Sequence, residues 1–215
     1  MPVSFMIHRA LRAQIVDMQL RPGASLNRQQ IADHYRVSQS PVRDAFLRLE
    51  SEGLIDIFPQ SRTLVAPIDI DQARETQFLR LGLELEVCRS LARRGDAGAL
   101  AEARNISALQ KVALEQNDLS RFSRLDWEFH HALYAAAGYP QLWDMISARS
   151  GHIDRLRQLN LPDPGKPAAV LDYHERILER IAAGDDAGCE RAVREHLSGT
   201  LGAVEDIRDR HPEFF

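Results

Sequence analysis

Apolar residues near the start of the chain recur at helical spacing and predict a helix over residues 5–19. The turn signal "RPG" at residues 21–23 ends this pattern. Two short helices are predicted next: "NRQQIADHYR", for which Asn27 is a suitable N-cap, and "SPVRDAFLRLESEG", which ends at Gly53. The period then changes, because "LIDIF" and "TLVA" are short β-rich runs joined by "PQSR". These runs predict a two-stranded hairpin.

The remaining hydrophobic pattern is helical. After the extended connector "PIDIDQ", helices are predicted over residues 70–94, 98–117, 119–138, 140–160, 167–183 and 186–209. Segments rich in glycine or proline, such as "GDAG" and "LPDPGKP", separate them. The sequence therefore predicts a mainly α protein of two domains. A small domain with a hairpin covers residues 1–68, and an all-α helical bundle covers residues 72–210.

The order of elements in the first domain is that of a winged helix-turn-helix, whose second helix enters the major groove of DNA. With the apolar face of "SPVRDAFLRLE" packed inward, Gln39, Ser40 and Arg43 face outward. Arg43 suits guanine or phosphate, and Gln39 suits adenine. Ser40, at the helix start, suits a phosphate oxygen, and Arg62 at the hairpin tip is placed to touch the DNA backbone or a minor groove. The alternative is that these residues are ordinary solvated surface groups.

Ionisable groups interrupt the apolar pattern of the predicted bundle. Asp126 and His130 are four residues apart, on one face of a helix that is otherwise apolar there. Burying such groups is costly unless they have partners. The candidate partners are the histidines at positions 131, 152, 174 and 196. One carboxylate and several imidazoles converging in a bundle suit Zn, Ni, Mn or Fe better than Ca or Mg. A hydrogen-bonded core cluster without metal is the alternative.

Composition narrows the class of protein. With 44% hydrophobic and 27% charged residues, the chain is typical of a globular protein, and no apolar run reaches the length of a membrane span. The N-terminal segment lacks the pattern of a secretory signal. The two cysteines, Cys88 and Cys189, have no metal-binding spacing, which argues against a thiolate zinc site or a disulfide scaffold. We expect a cytoplasmic protein without membrane partners, using oxygen and nitrogen ligands.

The distribution of charge is more informative than the net charge of −4. Residues 1–67 carry eight Arg against six acidic residues, whereas residues 68–215 carry 19 basic against 25 acidic residues. The excess of positive charge therefore lies in the predicted DNA-binding part. The basic residues are 25 Arg and two Lys, a bias that suits bidentate recognition of phosphate, carboxylate or guanine but is equally explained by a GC-rich genome.

Several motifs in residues 5–68 identify a family. The pieces "RPG..L", "VS.SPVRDA", "LRLESEGL" and "V.PI" resemble the DNA-binding domain of the GntR family of bacterial transcription regulators. The resemblance implies a homodimer that binds a palindromic operator in double-stranded DNA through the recognition helix and the wing. Arg43 matches an arginine of the family pattern.

Other positions depart from that pattern. The family usually has an acidic residue followed by Arg where this chain has Arg28 and Gln29, and Arg where Gln39 stands. It usually has Gly where Arg36 stands and near Arg62. We infer an altered base preference, since Gln prefers adenine where Arg prefers guanine. Arg28 and Arg62 are placed to restore phosphate contacts.

Residues 72–209 resemble the FCD-type ligand-binding domain of the FadR subgroup. The resemblance is carried by "FLRLGLELEVCRSLARRG", "FSRLDWEFHHALYAAAGYPQL" and "DYHERILERIAAGDDAGCERAVREHL". It implies that Asp126, His130, His174 and His196 coordinate a divalent transition metal, with Zn or Ni favoured and Mn or Fe as alternatives. The other two candidate histidines fall outside the family pattern and are interpreted as surface or packing residues.

The same resemblance implies an effector site. Arg80 matches an arginine near the effector cavity, although an ion pair with Glu84, four residues on, explains it as well. Arg149 and Arg155 are weaker candidates. The sequence thus predicts a non-enzymatic transcriptional regulator, a repressor in the expected case, that responds to a small organic acid bound beside the metal. The alternatives are a metal-dependent hydrolase-like enzyme and a repressor that senses metal alone; no "HExxH" pairing or phosphate loop supports an enzyme.

Overall fold

The chain divides into two compact units in the computed structural model, which describes residues 2–215 apart from the side chain of Ala97. The first unit contains the chain up to Ala73 together with residues 148–158 and 204–215, and the second contains residues 74–147 and 159–203. This grouping differs from the predicted division into residues 1–68 and 72–210. Residues 148–158 and 204–210, which the sequence analysis placed with the bundle, pack in the first unit.

Three helices and a hairpin form the body of the first unit. They are α1 (Val3–Val16), α2 (Arg28–Tyr35), α3 (Gln39–Ser51), β1 (Ile55–Phe58) and β2 (Arg62–Val65). The two strands are antiparallel, with Ile55 opposite Val65. One hydrophobic core joins the inner faces of the helices and the hairpin, and Ile7, Phe46 and Leu54 are among its fully buried members. The predicted helix-turn-helix with a small wing is confirmed.

Local chain chemistry sets the ends of α2 and α3. The Asn27 side chain accepts a hydrogen bond from the Gln30 amide at 3.0 Å, so the predicted N-cap of α2 is confirmed. The helix ends at Tyr35, and its C-cap residue Arg36 has a φ of 55°, in the left-handed region. That conformation favours glycine and explains why the family pattern has Gly there. Gly53, with φ 73°, lies in the turn after α3.

The second unit is an all-α bundle. Its helices are α4 (Ile70–Arg94, from Arg74 onwards), α5 (Ala101–Glu115), α6 (Leu119–Ala137), α7 (Pro140–Ser147), α9 (Lys166–Ala182) and α10 (Asp186–Gly202), with a 3₁₀ turn at Ala97–Leu100. The core joins apolar residues of these helices, including Leu91, Phe122, Phe129, Ile177 and Val193. The predicted fold class, mainly α with a helical C-terminal domain, is confirmed. Nowhere in residues 2–215 does a helix combine the length and hydropathy needed to cross a bilayer.

Two predicted helices are each interrupted. The prediction of one helix over residues 140–160 was wrong, because α7 ends at Ser147 and a new helix, α8 (Gly151–Asn160), begins after a three-residue break. At Gly151 an added Cβ would lie 2.6 Å from Leu54 Cδ2, so the chain passes too close to the first core for a side chain. The predicted helix over residues 186–209 is likewise two helices, α10 and α11 (Val204–Arg210), interrupted at Ala203.

Candidate metal centre and nucleic-acid interface

Three helices of the second unit bring one carboxylate and three imidazoles together. Helix α6 contributes Asp126 and His130, α9 contributes His174, and α10 contributes His196. The first three side chains lie on buried faces, with exposures of 3%, 0% and 0%, and His196 is partly buried. The spacing of four residues puts Asp126 and His130 on the same side of α6. The four residues singled out from the sequence therefore form one cluster.

Two short distances within this cluster match the spacing of ligand atoms around a metal ion. One ligand atom from each side chain can be chosen so that all four lie within 4.8 Å of one another. His130 Nε2 is 3.0 Å from His196 Nε2, and His174 Nε2 is 3.3 Å from Asp126 Oδ1. Ligand atoms about 2.0 Å from a tetrahedral ion are themselves roughly 3.3 Å apart. Three nitrogens and one carboxylate oxygen at such separations suit Zn, Ni, Mn or Fe.

The outer nitrogens of two histidines have acceptor partners. His174 Nδ1 is 2.8 Å from Gln110 Oε1, and His130 Nδ1 is 3.1 Å from Glu84 Oε2. Because amide and carboxylate oxygens accept hydrogen bonds, they favour the proton on the Nδ1 that faces them, which leaves each Nε2 as the ligand atom of the cluster. The Phe129 ring stacks on His174 with centroids 3.8 Å apart and restricts the imidazole further. This tautomer is the one that a metal bound at Nε2 requires.

The protonation states of His130 and Glu84 are compatible with binding of a cation by the cluster. Burial, partly offset by Glu84, lowers the pKa of His130, so its imidazole is neutral at neutral pH. Burial by itself would raise the pKa of Glu84, but Arg80 and then His130 outweigh that effect and lower it to about 2. Glu84 is therefore ionised at all physiological pH values. As a carboxylate ligand, Asp126 would supply negative charge to a bound dication.

Arg80 lies beside this cluster rather than inside it. Its Nε donates to Glu84 Oε1 at 2.5 Å, and its guanidinium lies over the Trp143 ring at 5.4 Å. The side chain is 5% exposed, and its Nη2 has no hydrogen-bond partner among residues 2–215. The ion pair with Glu84, considered from the sequence as the alternative to an effector role, is present. Arg80 still has a donor left for a further acceptor.

The other candidate residues lie elsewhere. Arg149 is exposed and Arg155 is fully buried, and both belong to the first unit. Arg155 donates to the carbonyl oxygens of Ala66 at 2.7 Å and Pro67 at 3.2 Å, which fixes the end of the wing. Of the three candidate arginines, Arg80 is the one in the unit that contains the cluster. Of the two histidines outside the family pattern, His131 is exposed on α6 and His152 is buried in the first unit.

Sequence reasoning missed two residues that contact the cluster. Glu84 was interpreted only as a partner of Arg80, and Gln110 was not considered. Gln110 is fully buried on the apolar face of α5, between Ile106 and Ala113. A polar residue on a buried helical face was the available signal. For Glu84 no local signal distinguishes a surface ion pair from a buried one, since its second contact is to a distant helix.

The predicted DNA-contacting residues lie on one exposed side of the first unit. Gln39, Ser40 and Arg43 are exposed at the start of α3. A groove of about 370 Å³ lies between this helix start, the start of α2 and the wing, and Arg28, Gln29, Gln39 and Arg62 are among its lining residues. The Arg62 guanidinium lies over the Phe58 ring, 5.2 Å from its centroid.

A chain of hydrogen bonds holds the two glutamines that depart from the family pattern. Gln39 Nε2 donates to Gln29 Oε1, and Gln29 Nε2 donates to Asp33 Oδ1 at 2.7 Å. Within the described part of the chain, Gln39 keeps its own carbonyl oxygen and one amide hydrogen available. Those are the two groups that a glutamine uses against adenine.

Known proteins match both parts of the chain. Residues 75–199 match the FCD domain, and residues 4–65 match the gntR family of bacterial regulatory proteins. An uncharacterized HTH-type transcriptional regulator in an unstable DNA locus of Streptomyces ambofaciens is 32% identical, over 97% of this chain and 88% of its own length. The HTH-type transcriptional repressor RspR of Escherichia coli is 31% identical, over 100% of this chain and 94% of its own length. The solved structure of E. coli McbR/YncC, at 22% identity, has a TM-score of 0.77 and covers 96% of this chain and 98% of that one, which supports the fold.

Proposed function

We propose that this chain, which belongs to the gntR family of bacterial regulatory proteins and carries an FCD domain, is a repressor whose operator binding responds to a small organic acid bound beside a divalent metal ion. The family membership establishes a DNA-binding transcriptional regulator and confirms both resemblances inferred from the sequence. The metal, the acid and the sign of regulation are our proposals. The observation that carries them is the convergence of Asp126, His130, His174 and His196.

The charges of the cluster support an anionic effector. The Arg80–Glu84 ion pair is neutral as a whole, so a ligand set of three neutral imidazoles and the Asp126 carboxylate would carry one net negative charge. A bound dication would change this to one net positive charge, which attracts a monoanion. Because the unused Arg80 Nη2 is buried nearby, an entering carboxylate also finds a hydrogen-bond donor. An organic acid should therefore bind only when the metal is present.

Operator binding is assigned to the exposed start of α3 and to the wing. We propose that Arg43 contacts guanine or phosphate, that Gln39 reads adenine, and that Ser40 and Arg28 contact phosphates. A palindromic operator requires two copies of the chain, with recognition helices about 34 Å apart. The effector then acts by changing the population of the arrangement that fits this spacing, with a coupling free energy of about 1–3 kcal/mol. That one relative at 31% identity is named a repressor supports this sign of regulation.

Titration of operator binding tests the proposal. Fluorescence anisotropy of an operator fragment would be measured with chelator-treated protein, with zinc, nickel or manganese restored, and with each metal plus a panel of small carboxylates. We expect a carboxylate to weaken operator binding only in the presence of metal. A metal response that no carboxylate modifies would instead indicate a metal-sensing repressor. If elemental analysis of the purified protein and direct titration both show no metal binding, the assignment of the cluster is wrong.

The rival reading as a hydrolase-like enzyme has weaker support. Such an enzyme needs a general base beside the metal, but Glu128, which lies between the two ligands of α6 in sequence, is exposed. Glu84 is buried near the cluster but is held by Arg80. Hydrolysis of any member of a panel of esters and amides by the zinc-loaded protein would contradict the proposed regulatory role of the metal site.

A further inference from the structure

We propose that Glu84, fixed by Arg80, is a positioning residue that selects the tautomer of His130 and thereby sets the metal affinity of the cluster. The inference rests on the proposed function only for the metal; the selection of the tautomer is a property of the metal-free protein. Arg80, Glu84 and His130 form a row from α4 to α6 in the second unit.

The two oxygens of Glu84 serve different partners. Oε1 accepts from Arg80 Nε at 2.5 Å, and Oε2 lies 3.1 Å from His130 Nδ1. The side chains of Arg80, Glu84 and His130 are 5%, 2% and 0% exposed. Neither Oε2 nor Nδ1 has a hydrogen-bond partner of good geometry among residues 2–215, so the 3.1 Å separation is a close electrostatic contact between them. Each group therefore depends on the other for compensation of its burial.

A purely structural ion pair does not account for this arrangement. Burying a carboxylate and a guanidinium commonly costs more free energy than their attraction returns. An Arg–Glu ion pair would stabilise α4 equally well on the exposed face of the helix, where Glu86 lies two residues after Glu84. What the buried position adds is the contact of the second oxygen with an imidazole that also belongs to the cluster.

That contact decides which nitrogen of His130 faces the cluster. When Nδ1 carries the proton, that proton faces the Glu84 carboxylate, and Nε2, which then has the lone pair, lies 3.0 Å from His196 Nε2. In the other tautomer, the Nδ1 lone pair would face an anionic oxygen, which is unfavourable, and the hydrogen on Nε2 would have to leave before that nitrogen could bind a metal ion. A carboxylate partner also raises the basicity of the ligand nitrogen. His174, by contrast, has the neutral Gln110 as its partner.

Glu84→Gln tests this role, because an amide of the same shape loses the charge and half of the acceptors. Glu86→Gln, an exposed change on the same helix, is the matched control. Zinc affinity would be measured by competition with a chelating indicator, and the His130 tautomer in the metal-free protein by ¹⁵N NMR of the imidazole nitrogens. Circular dichroism would confirm that the variants fold. If Glu84→Gln does not fold, Arg80→Gln/Glu84→Gln removes both charges together and takes its place.

We expect the Glu84 variant to bind zinc about 10–100 times more weakly than the wild type, as is typical for loss of such an outer partner. We also expect its His130 signals to shift from the Nδ1-protonated tautomer toward a mixture, and Glu86→Gln to match the wild type in both measurements. Equal zinc affinity and an unchanged tautomer in the Glu84 variant would overturn the inference. Failure of the wild type to bind any metal would refute the proposed function, while the NMR comparison would still decide whether Glu84 selects the tautomer.

Discussion

We predict that His152 makes the stability of the first unit depend on pH, and the size of the effect follows from its contacts. The imidazole is 2% exposed, and its Nδ1 accepts hydrogen bonds from the Asp69 amide at 2.8 Å and from Arg155 Nη2 at 2.9 Å. Protonation would place a hydrogen on the nitrogen that already faces two donors. Burial first and the Arg155 charge second lower the pKa of His152 to about 4, and Asp69 offsets only part of this.

The direction and magnitude follow from linkage. In the unfolded chain the pKa of a histidine is about 6.5, so between about pH 4 and pH 6.5 the unfolded state binds one more proton than the folded state. The free energy of unfolding therefore falls as the pH drops through this window. The slope reaches about 1.4 kcal/mol per pH unit, and the total is at most about 3 kcal/mol. Above about pH 7 the contribution is constant, because the imidazole is neutral in both states.

Hydrogen exchange of the α3 amides measures this stability directly. Both tryptophans, Trp127 and Trp143, lie in the second unit, so fluorescence would report on the wrong part of the chain. The wild type and His152→Gln would be compared between pH 4 and pH 7.5, after correction for intrinsic exchange rates. Gln keeps a hydrogen-bond acceptor but does not titrate, so the wild type should lose about 3 kcal/mol more than the variant on acidification. Parallel pH profiles for the two proteins would refute the reasoning.

Three further predictions concern the cluster, a backbone position and base recognition. His174→Ala should abolish the rise in melting temperature that zinc gives the wild type. At a metal concentration 100 times Kd, that rise corresponds to a stabilisation of about 2.7 kcal/mol. The control His131→Ala, on the exposed side of α6, should keep the zinc-dependent rise. Arg36→Gly should raise the stability of the first unit by about 0.5–1 kcal/mol, because it removes a side chain from a φ of 55°. Gly53→Ala, at φ 73°, should lower that stability. Hydrogen exchange of the α2 amides measures both changes, and a destabilised Arg36→Gly would contradict the argument. Gln39→Arg should change the preferred operator base from A to G in a selection from randomised operators, and an unchanged preference would exclude Gln39 as a base-reading residue.

Periodicity and local chain chemistry determined most of the elements from the sequence alone. The apolar pattern predicted the helices and the hairpin, because the positions that face a core repeat with the geometry of each element. The spacing of Asp126 and His130 placed both on one side of α6 wherever that helix packs. The similarity of residues 5–68 and 72–209 to known domains then indicated which distant side chains belong together.

Only the tertiary structure decided what depends on contacts between distant segments. The break at residues 148–150 and the packing of residues 148–158 with the first unit bring Gly151 close to Leu54, a contact between distant segments that no local pattern contains. Glu84 looks the same as a surface partner of Arg80 until α6 brings His130 within 3.1 Å of its second oxygen. Helical spacing fixes the side of a helix on which a group lies. The partner of such a group, its burial and therefore its charge state depend on which other helices pack against that side, because desolvation and pairing are set by residues far away in the chain.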